Sequence, residues 1–130
     1  MKGKEPSEQI SPHFKRHEFA CKDQCGYASP SLRLIDLLER ARGYYNAPLV
    51  VTSGCRCEAH NRAVGGGSRS AHLTGEAADI SCVASSERFD LLTALLRAGA
   101  RRVGLGEGFV HVDVSETLTQ DVAWLYPVKA

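Results

Sequence analysis

Residues 65–81 read GGGSRSAHLTGEAADIS and place His72 and Asp79 seven positions apart, with Gly75 between them. Helical neighbours stand three or four residues apart, so this pair does not share a helix face. From Gly75 to Cys82 the chain alternates. Ala77, Asp79 and Ser81 fall on one side, and Ala78, Ile80 and Cys82 on the other, which is the period of a strand. The stretch is therefore a glycine-rich loop running into a strand, with His72 on the loop and Asp79 inside the strand.

Working outward, SPSLRLIDLLERARGYY (29–45) reads as a helix, with Ser29 as N-cap, Pro30 in the first turn, and Leu34, Leu37, Leu38 and Ala41 as an apolar stripe. APLVVTSG (47–54) reads as a strand ending at Gly54, and CRCEAHNRAV (55–64) as a short helix stopped by glycines. SSERFDLLTALLRAG (85–99) is a second long helix, closed by Gly99. RRVGLG and GFVHVDVS are two short strands, and the tail VAWLYP is expected to close over the core through Trp124. The order helix, strand, strand, helix, strand, strand predicts an α+β fold with a small, mainly antiparallel sheet and two main helices. Residues 1–12 are polar and read as an N-terminal arm, leaving 13–130 as a single domain.

The bulk numbers narrow the function. A chain of 130 residues suits one domain with a real core. Sixteen Lys+Arg against fifteen Asp+Glu give a net charge of +1, too little to build the field of a general nucleic-acid binder. No apolar run is long enough to span a membrane. The first twenty residues carry positive charges but no apolar stretch, so no secretory signal is expected. The protein is expected to be made in the cytoplasm and to be a monomer.

FVHVDV (109–114) supplies a second polar pair, since His111 and Asp113 share one strand face while Val110, Val112 and Val114 share the other. Alone, this is a solvated face with a local His–Asp hydrogen bond. Beside the first stretch it completes a set: His72, Asp79 and His111 offer two imidazoles and a carboxylate, suited to catalytic zinc with a fourth position open. On residues alone the set competes with coincidence, because three-ligand groups are common in any sequence.

SAHLTGEAADI resembles the Ser-x-His-x-x-Gly-x-Ala-x-Asp motif of the zinc D-alanyl-D-alanine carboxypeptidase-type peptidases, whose fold is shared with the hedgehog signalling domain. TSGCRCEAHNRAVGG resembles the segment before that motif, and FVHVDV the strand of the last zinc ligand. HEFACKDQCG is similar to the opening of small phage and bacterial members, so the resemblance spans about residues 13–115.

It implies one catalytic Zn2+ held by His72, Asp79 and His111. Arg56 would face the substrate and grip a terminal carboxylate by paired hydrogen bonds, and Ser70 would donate to the same group, although a serine there equally caps a turn. Many relatives carry an acid three positions before the last histidine, where this chain has Gly108. Glu107, one position earlier, is the expected general base. Asp113 is the second choice, its position also suiting a partner that orients an imidazole.

The implied function is hydrolysis of peptide bonds in peptidoglycan stem peptides or cross-links, in the setting of a phage or prophage endolysin acting on the wall after release. The alternatives are a non-catalytic zinc-dependent binding module and a phage structural component on the same fold.

Five cysteines cannot all pair within the chain. Cys21, Cys25, Cys55 and Cys57 would make a four-thiolate metal site or disulfides, and their CxxxC and CxC spacings favour disulfides or free thiols. Cys82 reads as a buried small hydrophobe. His60 reads as a helix-surface residue, and His13 and His17 as solvated. VGGGSRS lacks the Lys-Ser/Thr ending of a phosphate loop.

Overall fold

A computed structural model describes residues 7–128. Seven strands, β1 (Gln9–Ser11), β2 (Phe14–Lys15), β3 (Val51–Ser53), β4 (Ala77–Ser81), β5 (Arg102–Leu105), β6 (Phe109–Asp113) and β7 (Val122–Leu125), accompany three α-helices, α1 (Leu32–Tyr45), α2 (Glu58–Ala63) and α3 (Ser85–Arg97). Two 3-10 turns, Arg16–Phe19 and Ala71–Thr74, complete the elements. β1 and β2 form a small hairpin, and the other strands form one sheet in the order β3-β4-β6-β5-β7. Its pairs are antiparallel except β5–β7, which is parallel. The expected α+β fold with a mainly antiparallel sheet is what the chain adopts.

Strand alternation gives this sheet two unlike faces. Ala78, Ile80, Val103, Val110 and Val112 are buried with Leu34, Leu38, Leu91 and Leu95 from α1 and α3. Each fully buried aliphatic side chain of this size contributes roughly 1.5–3 kcal/mol of transfer free energy, so this face holds the helices on the sheet. The other face carries the polar residues.

Three sequence expectations are corrected. Helix α1 begins at Leu32 with Ser31 as its N-cap, whose side chain accepts from the Arg33 amide, rather than with Ser29. The Ser31 amide is claimed by the Gly75 carbonyl (2.8 Å), so a tertiary bond keeps 29–31 extended past the first capping signal. His13 is not simply solvated: its backbone amide and Nδ1 meet the Glu39 carboxylate at 2.7 and 2.6 Å, tying the N-terminal segment to α1. Trp124 does not close over the apolar core, because β7 joins the sheet edge and its ring lies on the polar face, 5.3 Å from that of His111. Residues 1–6 of the expected polar arm lie outside the described residues.

Candidate metal centre

Register builds the site. Asp79 on β4 stands directly opposite His111 on β6, His111 opposite Gly104 on β5, and Gly104 opposite Trp124 on β7. One row across four strands thus reads Asp, His, Gly, Trp. Gly104 is what lets the row close up, since a Cβ there would lie 2.6 Å from Trp124 Nε1. With no side chain in between, the indole packs against the imidazole of His111, and Tyr126 stands 6.2 Å from the same ring.

His72 arrives from the 3-10 turn before β4. Ser70 caps that turn, its Oγ accepting from the His72 amide at 3.2 Å. Gly75 ends the turn at φ +72°, and a Cβ there would stand 2.4 Å from the Ser29 carbonyl oxygen. Left-handed backbone and a contact that close both require glycine, which explains how a seven-residue offset brings His72 and Asp79 together.

The ring nitrogens are sorted by their partners. His72 Nδ1 meets the Gly54 carbonyl at 2.7 Å. A carbonyl only accepts, so Nδ1 carries a proton, and Nε2 is turned to Asp79 Oδ1, 3.3 Å away. His111 is turned the other way. Its Nδ1 lies 3.0 Å from Asp79 Oδ1, while Nε2 lies 2.8 Å from Asp113 Oδ2. Asp113 is itself fixed by Arg102 Nε (2.8 Å) and the Ser115 amide (3.1 Å). His72, Asp79, His111 and Asp113 are all buried.

Burial alone would raise the Asp79 pKa, but hydrogen bonds and charge from His111 and His72 outweigh it and hold the carboxyl well below its usual range. Burial likewise raises Asp113, and His111 and Arg102 bring it down. For His111 the order is reversed: burial depresses it, yet Asp113 and Asp79 together raise it above its ordinary value.

The donor set fits a tetrahedral cation. Ligand atoms of His72, Asp79 and His111 all lie within 4.8 Å of one another. Two ligands about 2.0–2.1 Å from zinc at a tetrahedral angle stand about 3.3 Å apart. The separations of 3.3 and 3.0 Å from Asp79 Oδ1 fall within a few tenths of that.

Arg56 borders the carboxylate. Its Nη2 is 3.4 Å from Asp79 Oδ2, Nε 3.1 Å from Ser53 Oγ and Nη1 3.3 Å from Asn61 Oδ1. The Arg56 amide also donates to the His72 carbonyl at 3.0 Å. Asn61, only 3% exposed, then clamps the glycine loop through Gly67 O at 2.9 Å. Gly66 must be glycine here, since its Cβ would sit 2.0 Å from Asn61 Oδ1.

A family model described as peptidase M15 matches residues 12–113. The chain belongs to the peptidase M15 family. The M15 match runs from the N-terminal hairpin through Asp113, and so takes in His72, Asp79, His111 and Arg56. It makes the protein a member of a family of metal-dependent peptidases. No curated protein matches the chain.

Of the residues expected from sequence, His72, Asp79, His111, Asp113 and Arg56 converge, with Ser70 as the cap beneath His72. Glu107 does not join them. It is exposed at the tip of the β5–β6 hairpin, where its carbonyl accepts from Arg88 Nη2 at 3.3 Å. Sequence reasoning missed Asn61, Gly104 and Tyr126. The alternation of Trp124 and Tyr126 along VAWLYP was the available signal for the aromatic wall.

Proposed function

We propose that this protein is a zinc metallopeptidase that hydrolyses peptide bonds of peptidoglycan stem peptides or cross-links, in the manner of D-Ala-D-Ala carboxypeptidases and endopeptidases. The observation that carries this is the juxtaposition of a three-donor centre with an arginine at its edge. His72 Nε2, His111 Nδ1 and Asp79 would hold the ion. Zinc supplies Lewis-acid chemistry, polarising a carbonyl and lowering the pKa of a water to about 7.

The chain's own groups do the rest. Arg56, held by Ser53 and Asn61, presents its guanidinium to a substrate carboxylate, with Asp79 sharing its charge until substrate arrives. Ser70 Oγ accepts from the His72 amide and so keeps its own hydroxyl proton to donate to the same carboxylate. Trp124 and Tyr126 pack beside His111 and wall the site from the β7 side. Asp113 holds His111 Nε2–H and so keeps Nδ1 turned toward the ion.

Glu107 is the proposed proton carrier. Its carboxylate makes no hydrogen bond or ion pair among the described residues, and it stands on the hairpin that leads directly into the His111 strand. Apo geometry does not exclude a base that closes on substrate. A phage or prophage lysis enzyme, acting on the wall after release, is the proposed setting; the likeness of HEFACKDQCG to small phage members supports it.

The test is mass spectrometry of muropeptides digested with and without a chelator. Loss of a terminal D-alanine, or opening of a cross-link, that the chelator abolishes is the expected result. Zinc bound with every muropeptide left intact would instead establish a non-catalytic binding module.

A further inference from the structure

A second cluster of metal-ligating side chains lies outside this centre. The Sγ atoms of Cys21, Cys25 and Cys57 and a carboxylate oxygen of Asp23 all lie within 4.8 Å of one another. The sequence spacings favoured disulfides or free thiols, with Cys55 as the fourth partner of any metal site. The structure has the thiols free, which is one of those two alternatives, and corrects only the grouping of Cys55. All five cysteines are unpaired, and Cys55 is buried within the apolar core. Asp23 stands where a fourth ligand is needed.

The separations suit an ion. Cys21 Sγ and Cys57 Sγ are 3.9 Å apart, nearly twice the length of a disulfide bond. Two sulfurs bonded to tetrahedral zinc at about 2.3 Å stand about 3.8 Å apart. Asp23 Oδ1 lies 3.1 Å from Cys21 Sγ, and Oδ2 lies 2.9 Å from Cys57 Sγ, so one carboxylate faces both sulfurs. Backbone amides point at the sulfurs as well: Cys57 N donates to Cys21 Sγ and His60 N to Cys57 Sγ, each at 3.4 Å. Such donors stabilise thiolates around a cation.

The chain is folded to converge there. Gln24 and Gly26 both take left-handed backbone, at φ 64° and 96°, curling the chain after Asp23. The Cys21 amide donates to the Tyr27 carbonyl at 2.8 Å and closes the curl at its base.

We propose that Cys21, Asp23, Cys25 and Cys57 form a second metal site, a closed structural one for a thiolate-preferring divalent cation of the zinc class. The ion ties the 21–27 curl to the segment that carries Arg56, which lies between core-anchored Cys55 and metal-anchored Cys57. Four protein ligands leave no open position, so the site does no hydrolysis. It stands independently of the catalytic reading.

Cobalt loading of the reduced, full-length protein tests it, because the His72–Asp79–His111 centre contains no sulfur. Thiolate-to-cobalt charge transfer in the near ultraviolet is expected, saturating at a single equivalent, with two metal ions per chain by plasma mass spectrometry. Exposed Cys25→Ser should weaken the band and lower the metal content. His72→Ala should lower the metal content and leave the band intact. The absence of a charge-transfer band in the reduced wild type, or a band unchanged in both Cys25→Ser and Cys57→Ser, overturns the site. So does recovery of Cys21 and Cys57 as a disulfide from protein kept under reducing conditions.

Discussion

Asp113→Asn separates positioning from proton transfer. Asp113 is 2% exposed and accepts from His111 Nε2 at 2.8 Å, Arg102 Nε at 2.8 Å and the Ser115 amide at 3.1 Å. The asparagine keeps the shape and an acceptor oxygen but loses the charge that fixes the His111 tautomer and strengthens Nδ1 as a donor. Replacing such a partner of a metal-bound histidine typically costs 10–100-fold in metal affinity or activity, or about 1.4–2.7 kcal/mol. The assay is zinc competition against a chromophoric chelator, with peptidase rates measured across zinc concentration. Weaker zinc binding and activity restored by excess zinc are expected. A variant that binds zinc as tightly as wild type yet stays inactive at saturating zinc would refute positioning and make Asp113 the base.

Arg56→Lys should lower kcat/KM about 10–100-fold on peptides with a free terminal carboxylate, because a point charge replaces a two-pronged donor; equal losses on amidated peptides would contradict carboxylate recognition. Gly75→Ala should destabilise the fold by about 2 kcal/mol or more, given φ +72° and a 2.4 Å approach to Ser29 O, and an unchanged denaturation midpoint would contradict it. Glu107→Gln should abolish hydrolysis while leaving zinc affinity intact; full activity removes Glu107 from the mechanism.

The pH dependence should differ with metal. In the zinc-free protein, raised His111 adds stability that is full below about pH 6.5 and lost as pH rises through its folded value. Lowered Asp79 and Asp113 add stability present above about pH 3.9 and lost on acidification through their folded values. Zinc requires His111 without its proton, so zinc stabilisation grows with pH. Melting curves of the two forms should diverge above about pH 6.5; zinc-free protein that gains stability from pH 6 to 8 would contradict the His111 assignment.

Much of the centre was legible because its spacings are local. A loop-to-strand offset joins His72 to Asp79, and strand alternation puts His111 and Asp113 on one face. What was hidden is what distant contacts decide. The start of α1 depends on a Ser31–Gly75 bond, and the aromatic wall on a parallel pairing of β7 with β5. Asn61 gave no signal, since its importance lies in bridging Arg56 to Gly67. Counting cysteines grouped Cys55 with Cys21, Cys25 and Cys57, whereas the fold buries Cys55 in the core and brings Asp23 to the other three sulfurs.

Zinc-edge anomalous diffraction from zinc-loaded crystals tests the central claim most directly. A peak about 2.0–2.1 Å from His72 Nε2, His111 Nδ1 and an Asp79 oxygen is predicted. No density there, or an ion bound through His111 Nε2 and Asp113 instead, would contradict it.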